Sequence, residues 1–386
     1  MNRRKWIFII TACFLLAGTV MWIRAKRLPS GGGNDQPQDT VTLSVWVFSR
    51  GWDTPLAEFQ KQYPQINIDV RTFRSAEQLY HELLPSISAN VAPQLAEIGS
   101  FYGIAPLAAT GSITPIDNQK TEAAQLSAAF EEPFRYDGKL WALPIGGSIP
   151  LLYYRGELVS RAELPPNGFR SWNDVEKAAA LPIKEGLASP GDRWRLAIDN
   201  ELPWYAQNIG GGTASEHAFD LWERWVHALG ILEPLSHRMA VSDFINGKVG
   251  VLLSSSSKLP VIERYIGGKF QFDIMRLPES DSVGIVPAVN GLVQIHSIPA
   301  KETAAQRLLE FMMDNTAQSL MWTHMGYIPA KTDVVMQLAE QSAALARQWT
   351  IFDAIRSLSG RKPAVDDYDQ WMRITEKLEL LEQQSK

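Results

Sequence analysis

The stretch FRYDGKLWALPIGGSIPLLYYRGEL at residues 134–158 constrains the fold more than any other part of the chain. Its Asp-Gly pair predicts a tight turn, and the apolar residues that follow predict a short strand ending at Gly146 and Gly147. A second apolar run then ends in two tyrosines. Two strands joined so closely are either neighbours in one sheet or one chain passing between two lobes. The joint is therefore a candidate hinge and binding cleft.

The N-terminus differs in composition from the rest of the 386-residue chain. Residues 1–27 contain six Lys and Arg and no acidic residue, and these charges flank an apolar run at 6–23. Such a run is close to the roughly 20 residues that span a bilayer. A buried core helix is the alternative. However, a core helix seldom lacks a polar face, and it seldom carries basic clusters at both ends. We therefore expect a signal or membrane anchor over residues 1–27.

The sequence leaves the processing of this segment open. Residues 23–25 match a signal-peptidase site only in part, and the string ITAC, which ends at Cys13, resembles a lipoprotein signal box in the middle of the span. We expect an uncleaved anchor, followed by a flexible tether rich in Pro and Gly at 28–40. Cys13 is the only cysteine, so the exported part forms no disulfide and depends on its core for stability.

The exported part is acidic and long enough for about two domains. Without residues 1–27 it carries 31 Lys and Arg against 42 Asp and Glu, a balance that disfavours nucleic acid as a partner. A buried strand at 41–48, an amphipathic helix at 55–64 and an alternating strand at 66–73 predict a parallel βαβ unit. The expected fold class is therefore α/β.

The order of motifs along residues 41–386 resembles the family 1 extracellular solute-binding proteins of ABC importers. After the βαβ unit come a helix, a short strand at 94–99, LAATGSITPID, and the segment DFINGKVGVLLSSSSKLPVIERY at 243–265. The last segment is similar to one in the glycerol-3-phosphate and glycerophosphodiester-binding branch. The resemblance implies a two-lobed periplasmic-binding-protein-like fold of type II, with a hinge and an interlobe cleft.

The same resemblance implies how the chain is divided between the lobes. Residues 41–146 and 257–312 are expected in lobe 1, and residues 149–255 and 315–386 in lobe 2. The implied crossings lie near residues 146–149, near 254–257 and around Asn315.

Signatures of catalysis are weak throughout the sequence. GGSIP around Ser148 lacks the second glycine of a nucleophile elbow, and no phosphate-binding loop occurs. His217, His227 and His237 are ten residues apart, a spacing that suits no helical or hairpin metal site. We expect no catalytic residue, metal ion or cofactor, since the importer's nucleotide is hydrolysed by a separate subunit.

Aromatic residues are the best ligand-binding candidates that composition alone provides. Rings facing a cleft stack on sugar C–H faces or enclose a quaternary ammonium, although most tryptophans belong to the core. Trp204 and Tyr205 are favoured because LPWYAQNIGGGT has the composition of a loop after a strand. Trp52 follows, because it comes just after the first strand of a parallel sheet.

Further ligand-binding residues are implied by the resemblance, residue by residue. The serine run at 254–257 follows a strand and precedes a helix, where it can either cap the helix or bind ligand oxygens. The branch's C-terminal arginine corresponds to Arg361, with Arg356 as the alternative. The aromatic residue that the branch carries early in its second helix has no counterpart near Ser75 and Ala76. The implied residues are Glu97, Ser148, Ser255 or Ser256, Gly291, Tyr327 and Arg361.

These patterns predict a membrane-tethered, extracytoplasmic monomer that captures a sugar, polyol or glycerophosphodiester and delivers it to ABC permease subunits. A ligand-sensing receptor subunit is one alternative. A surface carbohydrate-active enzyme is a second, but it requires two carboxylates facing each other across the cleft, and Glu97 has no obvious partner in the sequence. Loss of Glu97 is expected to weaken ligand binding and to leave the fold intact.

Overall fold

The first strands and helices form where the hydrophobic pattern places them. A computed structural model describes residues 40–117, 119–120, 124–164, 169–181, 195–278, 284–342, 344–358 and 363–383. The predicted βαβ unit is confirmed, since the first two strands pair in parallel with Val41 opposite Ile66. The Asp-Gly pair also forms its tight turn, with Asp137 and Gly138 both at positive φ between two paired strands.

The described residues alternate between strands and helices, as the α/β class requires. The strands are β1 Val41–Val47, β2 Ile66–Thr72, β3 Leu95–Gly99, β4 Ile113–Thr114, β5 Arg135–Tyr136, β6 Lys139–Leu140, β7 Leu143–Ser148, β8 Pro150–Arg155, β9 Leu196–Ile198, β10 Val251–Ser255, β11 Phe272–Arg276 and β12 Ala288–Ile295. The helices are α1 Asp53–Gln62, α2 Ala76–Ser88, α3 Ala105–Ala109, α4 Ala128–Glu131, α5 Gly156–Arg161, α6 Trp172–Ala180, α7 Leu202–Ile209, α8 Glu216–Glu223, α9 Ala240–Ile245, α10 Leu259–Ile266, α11 Pro299–Met312, α12 Asn315–Leu320, α13 Thr332–Gln341, α14 Ala346–Ala354 and α15 Tyr368–Gln383.

The first sheet has six strands in the order β2-β1-β3-β12-β4, and β7 also pairs with β12. Its strand β1 is buried on both faces. Leu43, Val45 and Val47 pack with α1 and α11, whereas Trp46 packs in the cluster that contains α2. Helices therefore cover both faces of this sheet, which with its helices we call lobe 1.

The second sheet has four strands in the order β11-β8-β10-β9, and with its helices we call it lobe 2. The chain passes from the first sheet to the second at Ile149, the single residue between β7 and β8. A side chain at Gly147 would place its Cβ only 2.7 Å from the Ala288 carbonyl oxygen. Glycine at this position therefore allows β7 to approach β12 just before the crossing.

The predicted lobe boundaries need two corrections. β11 lies within the range 257–312 expected in lobe 1, but it pairs with β8 in the second sheet, so the chain returns to lobe 1 only between Arg276 and Ala288. Ala317 and Met321 lie within the range 315–386 expected in lobe 2, but they pack in the core cluster around β1. β11 is placed in lobe 2 by pairing with the free edge of β8, and Ala317 and Met321 are placed in lobe 1 by packing on the face of its sheet. The remaining boundaries stay a prediction.

Helix α15 is attached to lobe 2 by a buried ion pair. His237 directs Nε2 at Glu382 Oε1, 2.8 Å away, and Nδ1 at the Ile198 carbonyl oxygen, 2.9 Å away. The Trp222 indole also donates to Glu382 at 2.6 Å. Both ring nitrogens face acceptors, so the imidazole carries both protons.

This geometry shifts both pKa values in the direction that favours the pair. Burial disfavours the charged form of His237, but the hydrogen bond to Glu382 and its charge raise the His237 pKa above the ordinary value. Burial likewise opposes ionisation of Glu382, but the same contact lowers its pKa.

We predict that the stabilisation by this ion pair is lost both when the pH rises and when it falls. The contribution of His237 is complete below its unfolded pKa, about 6.5, and is lost as pH rises through its higher folded pKa. The contribution of Glu382 is present above its unfolded pKa, about 4.3, and is lost as pH falls through its lower folded pKa. Replacing His237 with Gln should therefore lower the free energy of unfolding by about 1–3 kcal/mol near pH 5.5, and by less at pH 9.

Urea denaturation of the wild type and the variant at both pH values measures this difference. His217→Gln, at an exposed position on α8, is the matched control and should show little change at either pH. A loss of equal size at pH 5.5 and pH 9 would contradict a charged pair.

Candidate ligand-binding site

Glu97 is the centre of a polar cluster at the ends of β1 and β3. It is fully buried, and Oε2 accepts from the backbone N–H groups of Phe48 and Ser49, each at 3.0 Å, and from the Trp52 indole at 3.1 Å. Oε1 accepts from Asn290 Nδ2 at 2.8 Å and from the Ser49 hydroxyl. The strand end supplies free N–H groups here because β1 stops at Val47.

These donors fill the acceptor capacity of Glu97. A carboxylate offers about four lone-pair sites, and five donors already share them. Glu97 is thus part of the fold's own hydrogen-bond network, and its binding of ligand hydroxyls stays a prediction. Its observed contacts orient Ser49, Trp52 and Asn290.

Tyr327 joins the same cluster from the chain segment after α12. Its hydroxyl lies 2.7 Å from Ser49 Oγ and accepts from Asn290 Nδ2 at 2.9 Å. Burial, followed by the nearby charge of Glu97, raises the pKa of Tyr327, so the phenol stays protonated. Of the predicted residues, the structure therefore brings together Glu97, Trp52 and Tyr327.

Trp204 and Tyr205 lie in lobe 2, on a helix and not on the predicted loop. Pro203 stands in the first turn of α7, where proline favours helix formation, and this signal outweighs the glycines that follow. The Trp204 indole donates to the Val286 carbonyl oxygen at 2.8 Å, and its ring lies 6.0 Å from that of Phe101 in lobe 1. Trp204 is thus buried and packs against lobe 1 across the boundary between the lobes.

Glu201 is a candidate site residue that the sequence did not reveal. It lies directly before α7, and burial together with the charge of Asp199 raises its pKa to about 7, which Lys258 partly opposes. The charge of Glu201 in turn raises the pKa of Tyr327 and of Tyr102, both contributed by the lobe 1 side. Its carboxyl group therefore lies within electrostatic reach of both lobes.

The serine run fixes the hinge and caps a helix. Ser254 Oγ donates to Asp199 at 2.7 Å, and Ser255 Oγ accepts from the backbone N–H of Ser257. Ser256 Oγ accepts from the N–H of Ile149, the residue at the crossing. Ser148 is buried at the end of β7, one residue before that crossing.

Among the described residues, the remaining predicted ones make no hydrogen bond to the Glu97 carboxylate, although Gly291 lies beside the Glu97 cluster on β12. A Cβ on Gly291 would lie 2.8 Å from the Phe134 ring, so glycine is required here for close packing in the core. Its contact with a ligand stays a prediction. Arg356 is exposed, faces Asp353 at 3.8 Å and lines a separate cavity of about 250 Å³ between α13 and α14. Arg361 lies outside the described residues.

Comparison with known proteins identifies the family. Residues 56–351, well over half of the chain, match the model of a family described as bacterial extracellular solute-binding protein. This chain belongs to that family. The solute-binding protein is also 22% identical over 354 residues to the sn-glycerol-3-phosphate-binding periplasmic protein UgpB of Agrobacterium fabrum, covering 83% of this chain and 76% of that protein. Family membership and fold are those of the binding subunit of an ABC importer.

Solved structures share the two-lobed fold of this solute-binding protein. The GacH receptor of Streptomyces glaucescens, solved unliganded and with acarbose, superposes with a TM-score of 0.73 at 15% identity over 89% of this chain and 93% of that one. UgpB of Mycobacterium tuberculosis in complex with glycerophosphocholine superposes with a TM-score of 0.68 at 15% identity over 88% and 98%. At such identities the likeness establishes the fold alone.

Two further predictions concern membrane and metal. From residue 40 onward, the described helices include none that is long and apolar enough to cross a membrane. The predicted anchor at 1–27 lies outside the described residues, as does the tether up to residue 39. No cluster of His, Cys, Asp and Glu within the described ranges could hold a metal ion.

We predict that Glu97→Ala destabilises the solute-binding protein. The substitution leaves five buried or half-buried donors, on the four residues Phe48, Ser49, Trp52 and Asn290, without their acceptor. The free energy of unfolding should fall by about 3–5 kcal/mol, the cost of breaking a buried charged network. Urea denaturation checks this, with Glu340→Ala on the exposed face of α13 as the control. Unchanged stability in Glu97→Ala would mean that the cluster does not support the fold.

Proposed function

We propose that this solute-binding protein captures a sugar, polyol or glycerophosphodiester between its lobes and delivers it to ABC permease subunits. One observation carries the proposal: polar and aromatic groups approach the cleft from both sides. Lobe 1 contributes the hydroxyls of Tyr327 and Ser49, and lobe 2 contributes the Glu201 carboxyl group and the Trp204 ring. Hydroxyl-rich ligands suit such a site, because they offer donors to carboxylates and C–H faces to rings.

The ligands named for the relatives support the same class. The Agrobacterium relative is named for sn-glycerol-3-phosphate, and the two solved structures were obtained with acarbose and with glycerophosphocholine. All three compounds carry at least two hydroxyl groups. We infer that the ligand of this chain does as well.

A purely binding role, without covalent chemistry, is part of the proposal. Glycoside hydrolysis requires two carboxyl groups that reach the substrate. Glu201 provides a second carboxyl group that the sequence did not reveal, but Glu97 is fully buried and its acceptor sites are filled by protein donors. Glu97 is therefore unsuited to act as the nucleophile or the base.

A thermal-shift screen of sugars, polyols and glycerophosphodiesters on the purified full chain tests the proposed ligand class. A ligand present at about 100 times its dissociation constant should stabilise the protein by roughly 2.7 kcal/mol. The same samples, analysed for hydrolysis products, test the binding role. Failure of all three compound classes to raise the melting temperature would contradict the ligand class, and release of a product would contradict the binding role.

We also propose that an anchor at residues 1–27 holds the domain outside the membrane. The apolar run, its basic flanks and membership in an extracellular family support this location. Protease added to intact cells should remove the domain, whereas protection of the domain would contradict the topology.

Affinity for a hydroxyl-bearing ligand should depend on pH through Glu201. Ligand hydroxyls donate to the charged carboxylate, and the Glu201 pKa of about 7 means that this form is depleted in acid. As pH falls below about 7 the dissociation constant should rise, by at most about tenfold per pH unit, because a proton must leave when the ligand binds. Isothermal titration calorimetry between pH 5.5 and 8.5 measures the slope.

Two variants make this titration specific. Glu201→Gln removes the titrating group and should flatten the pH dependence while lowering affinity at pH 8.5. Glu340→Gln, on the exposed face of α13, should retain the wild-type slope. A wild-type slope in Glu201→Gln would mean that another group controls binding.

A further inference from the structure

The first turn of α15 forms a contact between the lobes that is separate from the ligand-binding residues. The helix belongs to lobe 2, since it packs on α7 and α8 and is attached through the His237–Glu382 pair. Its first turns nevertheless face α2 and the segment after β3, which belong to lobe 1. Asp367 fixes the start of the helix by accepting from the N–H of Gln370 at 2.7 Å.

Polar contacts at this place converge on one hydroxyl group. The Tyr368 hydroxyl donates to Glu77 Oε1 at 3.1 Å and lies 2.6 Å from His81 Nε2. Because its single proton points to Glu77, the hydroxyl accepts from His81. Tyr368 therefore joins two side chains of α2 across the boundary between the lobes.

Aromatic rings continue this contact inward to the ligand-binding side. Trp371 stacks on Phe101 with ring centres 4.9 Å apart and lies 5.6 Å from Tyr102. Phe101 in turn lies 6.0 Å from Trp204. All four of these rings are less than one-tenth exposed, so they exclude water from the boundary. The series of rings thus runs from the outer edge of the cleft to the candidate ligand-stacking residue.

The backbone at Gly103 also lies close to the segment before α15. Gly103 has a φ of 84°, and a Cβ there would lie 2.7 Å from the Asp366 carbonyl oxygen. Only glycine allows the two chains to approach so closely in this conformation. A groove of about 680 Å³ between Leu84, Pro106 and Arg373 lies beside the contact. Because of this groove, the outer edge of the contact is open to water.

We propose that the start of α15 is an aromatic latch, formed by Tyr368 and Trp371, that fastens lobe 2 to lobe 1 in the closed state. The latch stabilises closure without touching ligand, and it positions Trp204 through Phe101. Loss of the latch shifts the protein towards an open state in which each lobe keeps its own core. The proposal goes beyond ligand capture and can be tested without knowledge of the ligand.

Spin-label distance measurements on the ligand-free full chain test the latch. Labels are attached through Ser88→Cys on α2 and Glu376→Cys on α15, both exposed, in a Cys13→Ser background that removes the natural thiol. The unaltered latch should give mainly a short label-to-label distance. Tyr368→Phe keeps the ring but loses both hydrogen bonds, so the ratio of open to closed molecules should rise about fivefold.

A stronger latch variant and a matched control accompany Tyr368→Phe. Trp371→Ala removes the stacking ring and should increase the open fraction more than Tyr368→Phe does. Tyr265→Phe removes an exposed hydroxyl on α10 and should leave the distances unchanged. Circular dichroism verifies that each variant is folded, and Tyr368→Phe decides the matter if Trp371→Ala unfolds. Unchanged distances in Tyr368→Phe, or only the long distance when the latch is intact, would overturn the proposal.

Discussion

The Glu97 carboxylate is the interaction on which the rest of the site depends. Without Lys or Arg among them, its five donors come from the end of β1, the start of α1 and strand β12. A buried charge satisfied in this way fixes its donors, because moving any of them leaves part of the charge uncompensated. Ser49, Asn290 and Tyr327 therefore form a fixed wall on lobe 1, against which lobe 2 can close.

Strand and helix order could be predicted from the sequence because local periodicity determines it. The βαβ unit at β1, α1 and β2 is an example. The lobe to which β11 belongs could not be predicted in this way. β10 pairs with one edge of β8 and leaves the other edge free for β11, and this pairing joins strands that are distant in sequence. The same limit applies to residues 321–325, whose methionines reach the core of lobe 1 through contacts that sequence spacing does not encode.

Site residues divide along similar lines. Trp52 could be found because it follows the first strand, and Tyr327 because MGYIP is similar to a motif of the branch. Glu201 was missed although it directly precedes Leu202 in the segment singled out, because its burial and the nearby charge of Asp199 are tertiary features. Glu97 was found through the family resemblance. Its protein donors could not be predicted, because they come from segments distant in sequence. The close packing at Gly291 could not be predicted, because it depends on the Phe134 ring beside it in the fold.

The central claim is that ligand binds between the wall around Tyr327 and the lobe 2 face formed by Glu201 and Trp204. A crystal structure of the protein with a compound that raises its melting temperature tests this claim most directly. The account predicts ligand oxygens within about 3.2 Å of polar atoms on both faces and a ring or carbon face against Trp204. A ligand bound instead in the cavity between α13 and α14, or touching only one lobe in a closed protein, would contradict it.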